Sequence, residues 1–163
     1  MNRRISVYGL VAGFIIILTS ILSIESGVAS AWLGFLVMFM VFSSIFIAVK
    51  QHRDEVLGGV IGFNIGFMVG LGISLIASLV YVLVWEIYLA LNDYSFIETY
   101  TQAIVDAARA QGASSAELAS KMEEMENMRT IYFNPFMRLP MTFVEIFPVG
   151  FLVSLVTALV LKK

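Results

Sequence analysis

The sequence predicts an all-α protein: an integral membrane bundle of four transmembrane helices, with an extramembrane helical hairpin between helices three and four. Three observations support this fold class. Hydrophobic residues make up 60% of the 163 residues and charged residues only 13%, whereas a soluble domain is nearer half apolar and about a quarter charged. Four apolar runs approach or exceed the roughly 20 residues that cross a bilayer as a helix. One long polar segment separates the last two runs.

The predicted spans cover about 5–24, 31–49, 64–91 and 139–161, within a single membrane domain of residues 1–163. The third and fourth spans each contain one charged residue, which is Glu86 in the third and Glu145 in the fourth. The segment between them, 92–137, is the extracytoplasmic insert of this scheme.

The first span has a signal peptide as its alternative interpretation. Arg3 and Arg4 supply a basic start, and residues 29–31 resemble a cleavage site. The apolar run is longer than the roughly 7–15 residues of a signal core, however, and Glu25 would lie in the cleavage region. We therefore expect the first span to be retained.

Positive charge predicts the orientation of the bundle, because Lys and Arg favour the cytoplasmic side. The insert 92–137 carries seven acidic residues against three basic ones. Both termini and the loop after span two are therefore expected to be cytoplasmic. The basic residues that support this topology are Arg3, Arg4, Lys50, Arg53, Lys162 and Lys163.

The sequence of the insert predicts two helices, at about 93–111 and 115–132. Ser114 and Glu117 have the spacing of a capping box, in which the two side chains satisfy free amides of the first helical turn. Gly112 is placed to end the first helix, and Asn134-Pro135 to break the chain after the second. We expect a helical hairpin packed on itself or on the outer membrane surface.

Small residues recur at every fourth position through the start of span three. At that interval they form a shallow ridge that lets another helix approach closely. The motif is compatible with packing inside the bundle and with an interface to a second copy or a partner protein. The members of this ladder are Gly58, Gly62, Gly66, Gly70, Ser74 and Ser78.

The two glutamates inside apolar spans are the first candidate site. Glu86 precedes Asp93 by seven residues and Glu145 follows Arg138 by seven, which places each about 10 Å along its helix from a charged outer neighbour. We expect the two to meet in an intramembrane polar cluster, joined by Glu25 and Arg138. Two close carboxylates would share a proton or bind a cation, because both cannot ionise cheaply.

A second candidate lies in the expected cytoplasmic loop, where Lys50, His52, Arg53 and Asp54 form the densest charge on that side. We expect His52 to be solvated and the acidic residues to balance Lys50 and Arg53. The cluster is a hypothetical contact point for a partner. A lone histidine supports neither a catalytic triad nor a zinc site, so no metal is expected.

Several segments of the chain are similar to those of a known family. They are residues 51–54, Gly58-Gly59, Phe63, Asn134-Pro135, residues 141–143 and, most specifically, residues 145–150. On these segments the chain resembles the bacterial membrane proteins catalogued as domain of unknown function 4199, over nearly its whole length. The resemblance implies a multi-pass protein of the bacterial inner (cytoplasmic) membrane and carries no activity, substrate or catalytic residues.

These observations favour a non-enzymatic membrane protein that acts through helix packing and protein partners. The chain has no cysteine and no basic run, so thiol chemistry is excluded and nucleic acid is not expected as a partner. No cofactor is expected, and the expected partners are the lipid bilayer and a homo-oligomer or another membrane protein. The alternative is an oligomeric proton- or cation-linked transporter or channel that uses Glu86 and Glu145.

Overall fold

The computed structural model describes residues 2–27 and 30–163, and these residues form helices joined by short connections, with no strand among them. The predicted all-α fold class is confirmed. The helices in chain order are α1 (Asn2–Glu25), α2 (Ala31–Phe42), α3 (Ser44–Val56), α4 (Phe63–Leu91), α5 (Ser95–Ala110), α6 (Ser115–Phe133) and α7 (Pro135–Leu161).

Four helical stretches of the described chain are long and apolar enough to cross a membrane. The second is composed of α2 and α3, which are separated only by Ser43. The Ser43 hydroxyl donates to the Met40 carbonyl at 2.6 Å, so the chain continues in a near-helical course through the break. The stretches are Arg3–Glu25, Trp32–Val56, Phe63–Leu91 and Pro135–Leu161.

The chain divides into two compact units. The first unit consists of residues 1–84 and 143–163, and the second of residues 85–142. Both α4 and α7 contribute residues to each unit. The first unit therefore holds most of the apolar helices, and the second holds α5, α6 and the adjoining ends of α4 and α7.

Close helix contacts in the first unit are made by glycine and serine. A Cβ on Gly70 would lie 2.8 Å from Cβ of Ser154, and one on Gly150 would lie 2.7 Å from Oγ of Ser74. The Oγ atoms of Ser74 and Ser154 are 3.1 Å apart and hydrogen-bonded. Small residues thus let α4 and α7 approach until their serine side chains form a hydrogen bond. Close packing of this kind is expected between membrane helices, because burying apolar side chains against protein gains little over leaving them in apolar lipid.

The sequence prediction placed the small-residue ladder entirely within one helix, and its first two members do not belong there. Gly58 has φ +68° and Gly62 precedes the first residue of α4. A Cβ added at either would meet nothing within 4 Å. The helical part of the ladder therefore comprises Gly66, Gly70, Ser74 and Ser78, of which the serines are fully buried.

The charged residues after span two were expected in a loop, and this expectation was wrong. Helix α3 continues to Val56, so Lys50 and Asp54 lie on helical turns. The connection to α4 is made afterwards by Gly58 and Gly59, both at positive φ. The amide of Gly59 donates to the carbonyl of Arg53 at 2.9 Å. The helix ends after the charged residues, where Gly58 and Gly59 can adopt the positive φ angles that the turn requires.

The predicted capping box of the insert is confirmed at the start of α6. The Ser114 side chain accepts from the Glu117 amide, and the Glu117 carboxylate accepts from the Ser114 amide at 2.7 Å. The hydrogen bonds from Ser114 hold the pKa of Glu117 below its ordinary value. This cap and the left-handed Gly112, at φ +80°, determine where α5 ends and α6 begins.

Substituting Gly13→Ala tests the close approach of α1 to α4. An added Cβ would lie 2.7 Å from the carbonyl oxygen of Ala77, a backbone atom that cannot rotate away. We expect a loss of about 1–3 kcal/mol in the free energy of unfolding, measured by circular dichroism in detergent micelles. Gly34→Ala is the matched control, because nothing lies within 4 Å of that added Cβ and alanine is the better helix former. Equal stability of the two variants would contradict the contact.

Candidate functional site

The second unit contains a buried ion pair between Glu86 of α4 and Arg138 of α7. Nε of Arg138 donates to Oε1 of Glu86 at 2.7 Å, and Nη2 donates to Oε2 at 2.6 Å. The Arg138 side chain is 4% exposed and that of Glu86 is 23% exposed. Two parallel, charge-assisted hydrogen bonds define both the distance and the orientation of the partners. The sequence prediction that Arg138 is a candidate partner for a span glutamate agrees with this contact.

Tyr132, at the end of α6, completes the surroundings of the arginine. Its carbonyl oxygen accepts from Nη1 of Arg138, and its ring lies 5.8 Å from the guanidinium carbon. Its hydroxyl accepts from the indole N–H of Trp85 at 2.8 Å. Tyr132 therefore contacts both Trp85, the residue before Glu86 on α4, and the cation on α7. All three nitrogens of the guanidinium have acceptors, as a buried charge requires.

Tyr94 covers the guanidinium from another side, with its ring centroid 5.0 Å from Cζ of Arg138. A cation over an aromatic ring gains about 0.5–2 kcal/mol, depending on how far it is desolvated. Tyr94 and the preceding Asp93 both have left-handed backbone conformations, at φ 56° and 50°. For residues other than glycine this costs on the order of 1–3 kcal/mol each. The strained turn between α4 and α5 is what places the Tyr94 ring beside the cation.

Aromatic rings extend the site along α5. The Phe96 ring packs edge-on against Trp85 at 5.0 Å and stacks on Tyr100 at 5.7 Å. Trp85 also stacks on Tyr88 at 5.2 Å. Such pairs contribute beyond the area they bury. These rings connect to the ion pair through Tyr132, which bonds Trp85 and contacts Arg138. Because the Arg138 side chain is only 4% exposed, the pair is screened less than one on an open surface.

Chemically, the arrangement neutralises Glu86 inside the protein. Both carboxylate oxygens already accept from the guanidinium, so this group is bound by an internal cation. Such a pair links helices in a defined register and does not resemble a carboxylate held ready for exchange of ions. The geometry thus supports a structural role for Glu86 and Arg138.

Glu145 has a different environment, in the first unit. It is exposed on the surface of α7, and its carboxylate lies in the electrostatic range of the buried Tyr81 hydroxyl, which has Ser20 as a hydrogen-bond partner. Ser20, Tyr81 and Glu145 come from α1, α4 and α7. Since Glu86 belongs to the other unit, the expected meeting of the two glutamates stays a prediction. Glu25 is exposed at the last residue of α1, and its membership of the cluster stays a prediction as well.

The charged end of α3 differs from expectation in one residue. His52 was expected to be solvated, but it is 4% exposed. Arg53 pairs with Asp54 at 2.7 Å, which fits the expected balance of charge, and Lys50 is exposed. The histidine lies on the side of α3 that packs inward with Ala48 and Val49, so helical continuation of α3 explains its burial.

Tyr94, Tyr132 and Trp85 were not predicted as site residues. Their signal in the sequence is indirect: aromatic residues are concentrated on both sides of the insert, near an arginine at the edge of an apolar run. Within the described ranges, 2–27 and 30–163, no group of three or more His, Cys, Asp or Glu residues could hold a metal ion.

One comparison with known proteins gives a match. A family model described as "Protein of unknown function (DUF4199)" matches residues 7–163, nearly the whole chain. No curated protein and no solved structure matches significantly. The resemblance predicted from the sequence is therefore confirmed.

A double-mutant cycle tests the ion pair. Arg138→Met is expected to lower the free energy of unfolding by about 3–5 kcal/mol, because it leaves a desolvated carboxylate without its cation. Replacing both partners, Glu86→Met with Arg138→Met, is expected to cost less than the sum of the single changes. Chemical denaturation in detergent micelles measures all three variants.

Arg129→Met is the control for this cycle. Arg129 pairs with Glu98 and Glu126, and its side chain is 37% exposed, so its removal is expected to cost about 1 kcal/mol or less. Two outcomes would show that the buried pair is not a coupled unit. One is that the stability losses of Glu86→Met and Arg138→Met add up to the loss of the double variant. The other is that Arg138→Met lowers the free energy of unfolding no more than Arg129→Met does.

Proposed function

The chain belongs to the DUF4199 family, and we propose that it is a non-enzymatic membrane protein that binds a helix of another membrane protein. The contact surface is the exposed face of α7 that carries Glu145. We call this surface the Glu145 face and define it by Val144, Glu145, Pro148, Leu152 and Val156.

The observation that carries this proposal is an acidic residue exposed on an otherwise apolar helix face. Val144 is 61% exposed, Leu152 52% and Val156 57%, and Glu145 lies among them at helical spacing. The opposite side of α7 is buried, with Ile146 at 0%. An ionised carboxylate in lipid is costly, by about 2.5–3.5 kcal/mol at the helix centre on insertion scales. A partner that covers this face would relieve that cost.

Charge complementarity defines the chemistry of the partner. The Glu145 face fits an apolar helix that presents a cation or a hydrogen-bond donor at the same depth. A symmetric pair of α7 helices would instead bring two carboxylates together, which disfavours ionisation of both. A different membrane protein is therefore the better occupant than a second copy of this chain.

The remaining parts of the proposal concern location and chemistry. We assign the chain to the bacterial inner membrane, as the family resemblance implies. We place both termini on the cytoplasmic side, because basic residues lie beside the ends of the first, second and fourth spans. The non-enzymatic assignment is supported by Glu86, whose carboxylate is already engaged in an ion pair with Arg138.

Site-specific photo-cross-linking in native membranes tests the Glu145 face. A cross-linker at Val144 is expected to give a discrete adduct with another protein, and Glu145→Leu is expected to reduce its yield at least about tenfold, as loss of a desolvated charge contact costs 2–5 kcal/mol. Glu123→Leu, which removes an exposed charge of α6, should leave the adduct unchanged.

A cross-linker at Leu18 supplies the positional control, because this residue is 52% exposed on α1. The same adduct from Leu18, an adduct insensitive to Glu145→Leu, or an adduct only with a second copy of the chain would each refute the proposed contact.

A second candidate function is proton- or cation-linked transport. The observation in its favour is the polar set of Ser20, Tyr81 and Glu145, contributed by three apolar helices. Under this function, Glu145→Gln abolishes flux in proteoliposomes, while Glu86→Gln acts chiefly through stability because Glu86 is already paired. Flux that is absent from the parent protein, or unchanged by Glu145→Gln, would eliminate it.

A further inference from the structure

A pocket of about 370 Å³ lies between the start of α1 and the end of α3 in the first unit. Its volume falls within the range of about 300–1,000 Å³ that is typical of ligand sites. We call it the α1–α3 pocket and define it by its lining residues, which are Arg3, Arg4, Val7, Tyr8, His52 and Val56.

The polar side of the α1–α3 pocket is cationic. Arg4 donates through Nη2 to Glu55 at 2.6 Å, which offsets one charge. Nη1 of the same guanidinium is buried and has no acceptor among the described residues. Arg3 is exposed beside it, and its charge adds to that of Arg4. The pocket therefore carries two arginines against one paired carboxylate, and this excess of positive charge suits a phosphate oxygen.

Two further polar side chains line the pocket, Tyr8 and His52. The Tyr8 hydroxyl donates to Oε1 of Gln51 at 3.2 Å, so its oxygen retains accepting capacity. His52 is 4% exposed. The arginines are the permanently charged groups of the lining and would meet an anion.

The apolar side of the pocket continues onto the outer surface of α1. Val7 is 50% exposed and Val56 56%. Leu10 and Val11, one helical turn beyond Val7, are 44% and 53% exposed. A ligand that reaches the arginines is therefore flanked by an apolar helix surface. Free phosphate would contact only the cationic part of such a site, whereas a phospholipid would contact both the cationic part and the apolar surface of α1.

The position of the pocket along the helices points to the membrane boundary. Arg3 is the first residue of one apolar stretch and Val56 the last residue of the next. Basic pockets at helix ends are where anionic head groups bind. From the cationic wall, the apolar flank and the position at the helix ends, we infer that the α1–α3 pocket binds the phosphate head group of an anionic phospholipid.

Native mass spectrometry of the full chain tests this inference, with phosphatidylglycerol and phosphatidylcholine as probes in detergent micelles. The parent protein is expected to retain phosphatidylglycerol preferentially. Arg3→Gln is expected to weaken that retention about fivefold, since one basic residue near an anionic surface contributes about 1 kcal/mol. Arg3 is exposed, so this variant keeps the Arg4–Glu55 pair and the fold.

The matched control is the double variant Lys162→Gln with Lys163→Gln. It removes two charges from the end of α7, where the Lys163 amide donates to the Ile61 carbonyl in the α3–α4 connection. Unchanged lipid preference in this control, together with the loss in Arg3→Gln, supports a localised site. An equal loss in both variants would indicate general surface charge and overturn the inference.

Competition with inorganic phosphate distinguishes binding of free phosphate from binding of a phospholipid head group. Millimolar phosphate should not displace phosphatidylglycerol, because it makes no contact with the apolar flank. Complete displacement by phosphate, or equal retention of both lipids, would overturn the assignment to a phospholipid. These outcomes are independent of the Glu145 face, whose cross-linking does not involve the pocket.

Discussion

The second unit depends on one requirement, that the guanidinium of Arg138 cannot be buried without a counter-charge and acceptors. Glu86 supplies the charge, and the Tyr132 carbonyl takes the remaining nitrogen. The cation thereby ties α7 to α4 and to the end of α6. The strained backbone of Tyr94 belongs to the same set, because its ring lies against the cation. Burial of the two charges costs desolvation free energy, and their pairing offsets this cost. The offset depends on every guanidinium nitrogen having an acceptor.

The two span glutamates therefore serve different purposes, although their sequence contexts are alike. Glu86 is neutralised within its own unit, whereas Glu145 remains exposed on α7. The buried side of the same helix uses Gly150 and Ser154 to approach α4 closely. One side of α7 is thus specialised for packing within the chain. The other side holds a charge whose cost in lipid makes a partner favourable, which is why the proposed function is assigned to it.

The sequence was sufficient for features that depend on local chemistry. Apolar length predicted the four spans, and the spacing of Ser114 and Glu117 predicted the cap of α6. It was insufficient where tertiary contacts override a local preference. A helix was predicted from Asp93 on apolar periodicity, but the left-handed conformations of Asp93 and Tyr94 delay its start to Ser95. Such a conformation is uncommon for a bulky residue such as Tyr94. His52 lies within a charged cluster and was therefore expected in a solvated loop, but α3 continues through it and places it on the buried side with Ala48 and Val49.

The separation of the ion pair along the chain has a consequence for biosynthesis. Glu86 and Arg138 are 52 positions apart, so at about 5–20 residues per second the ribosome completes the arginine roughly 3–10 s after the glutamate. During that interval α4 has emerged without the cation that neutralises it. Glu86 therefore lacks this internal cation until Arg138 has been translated. Formation of the ion pair is thus a late step relative to the synthesis of α4.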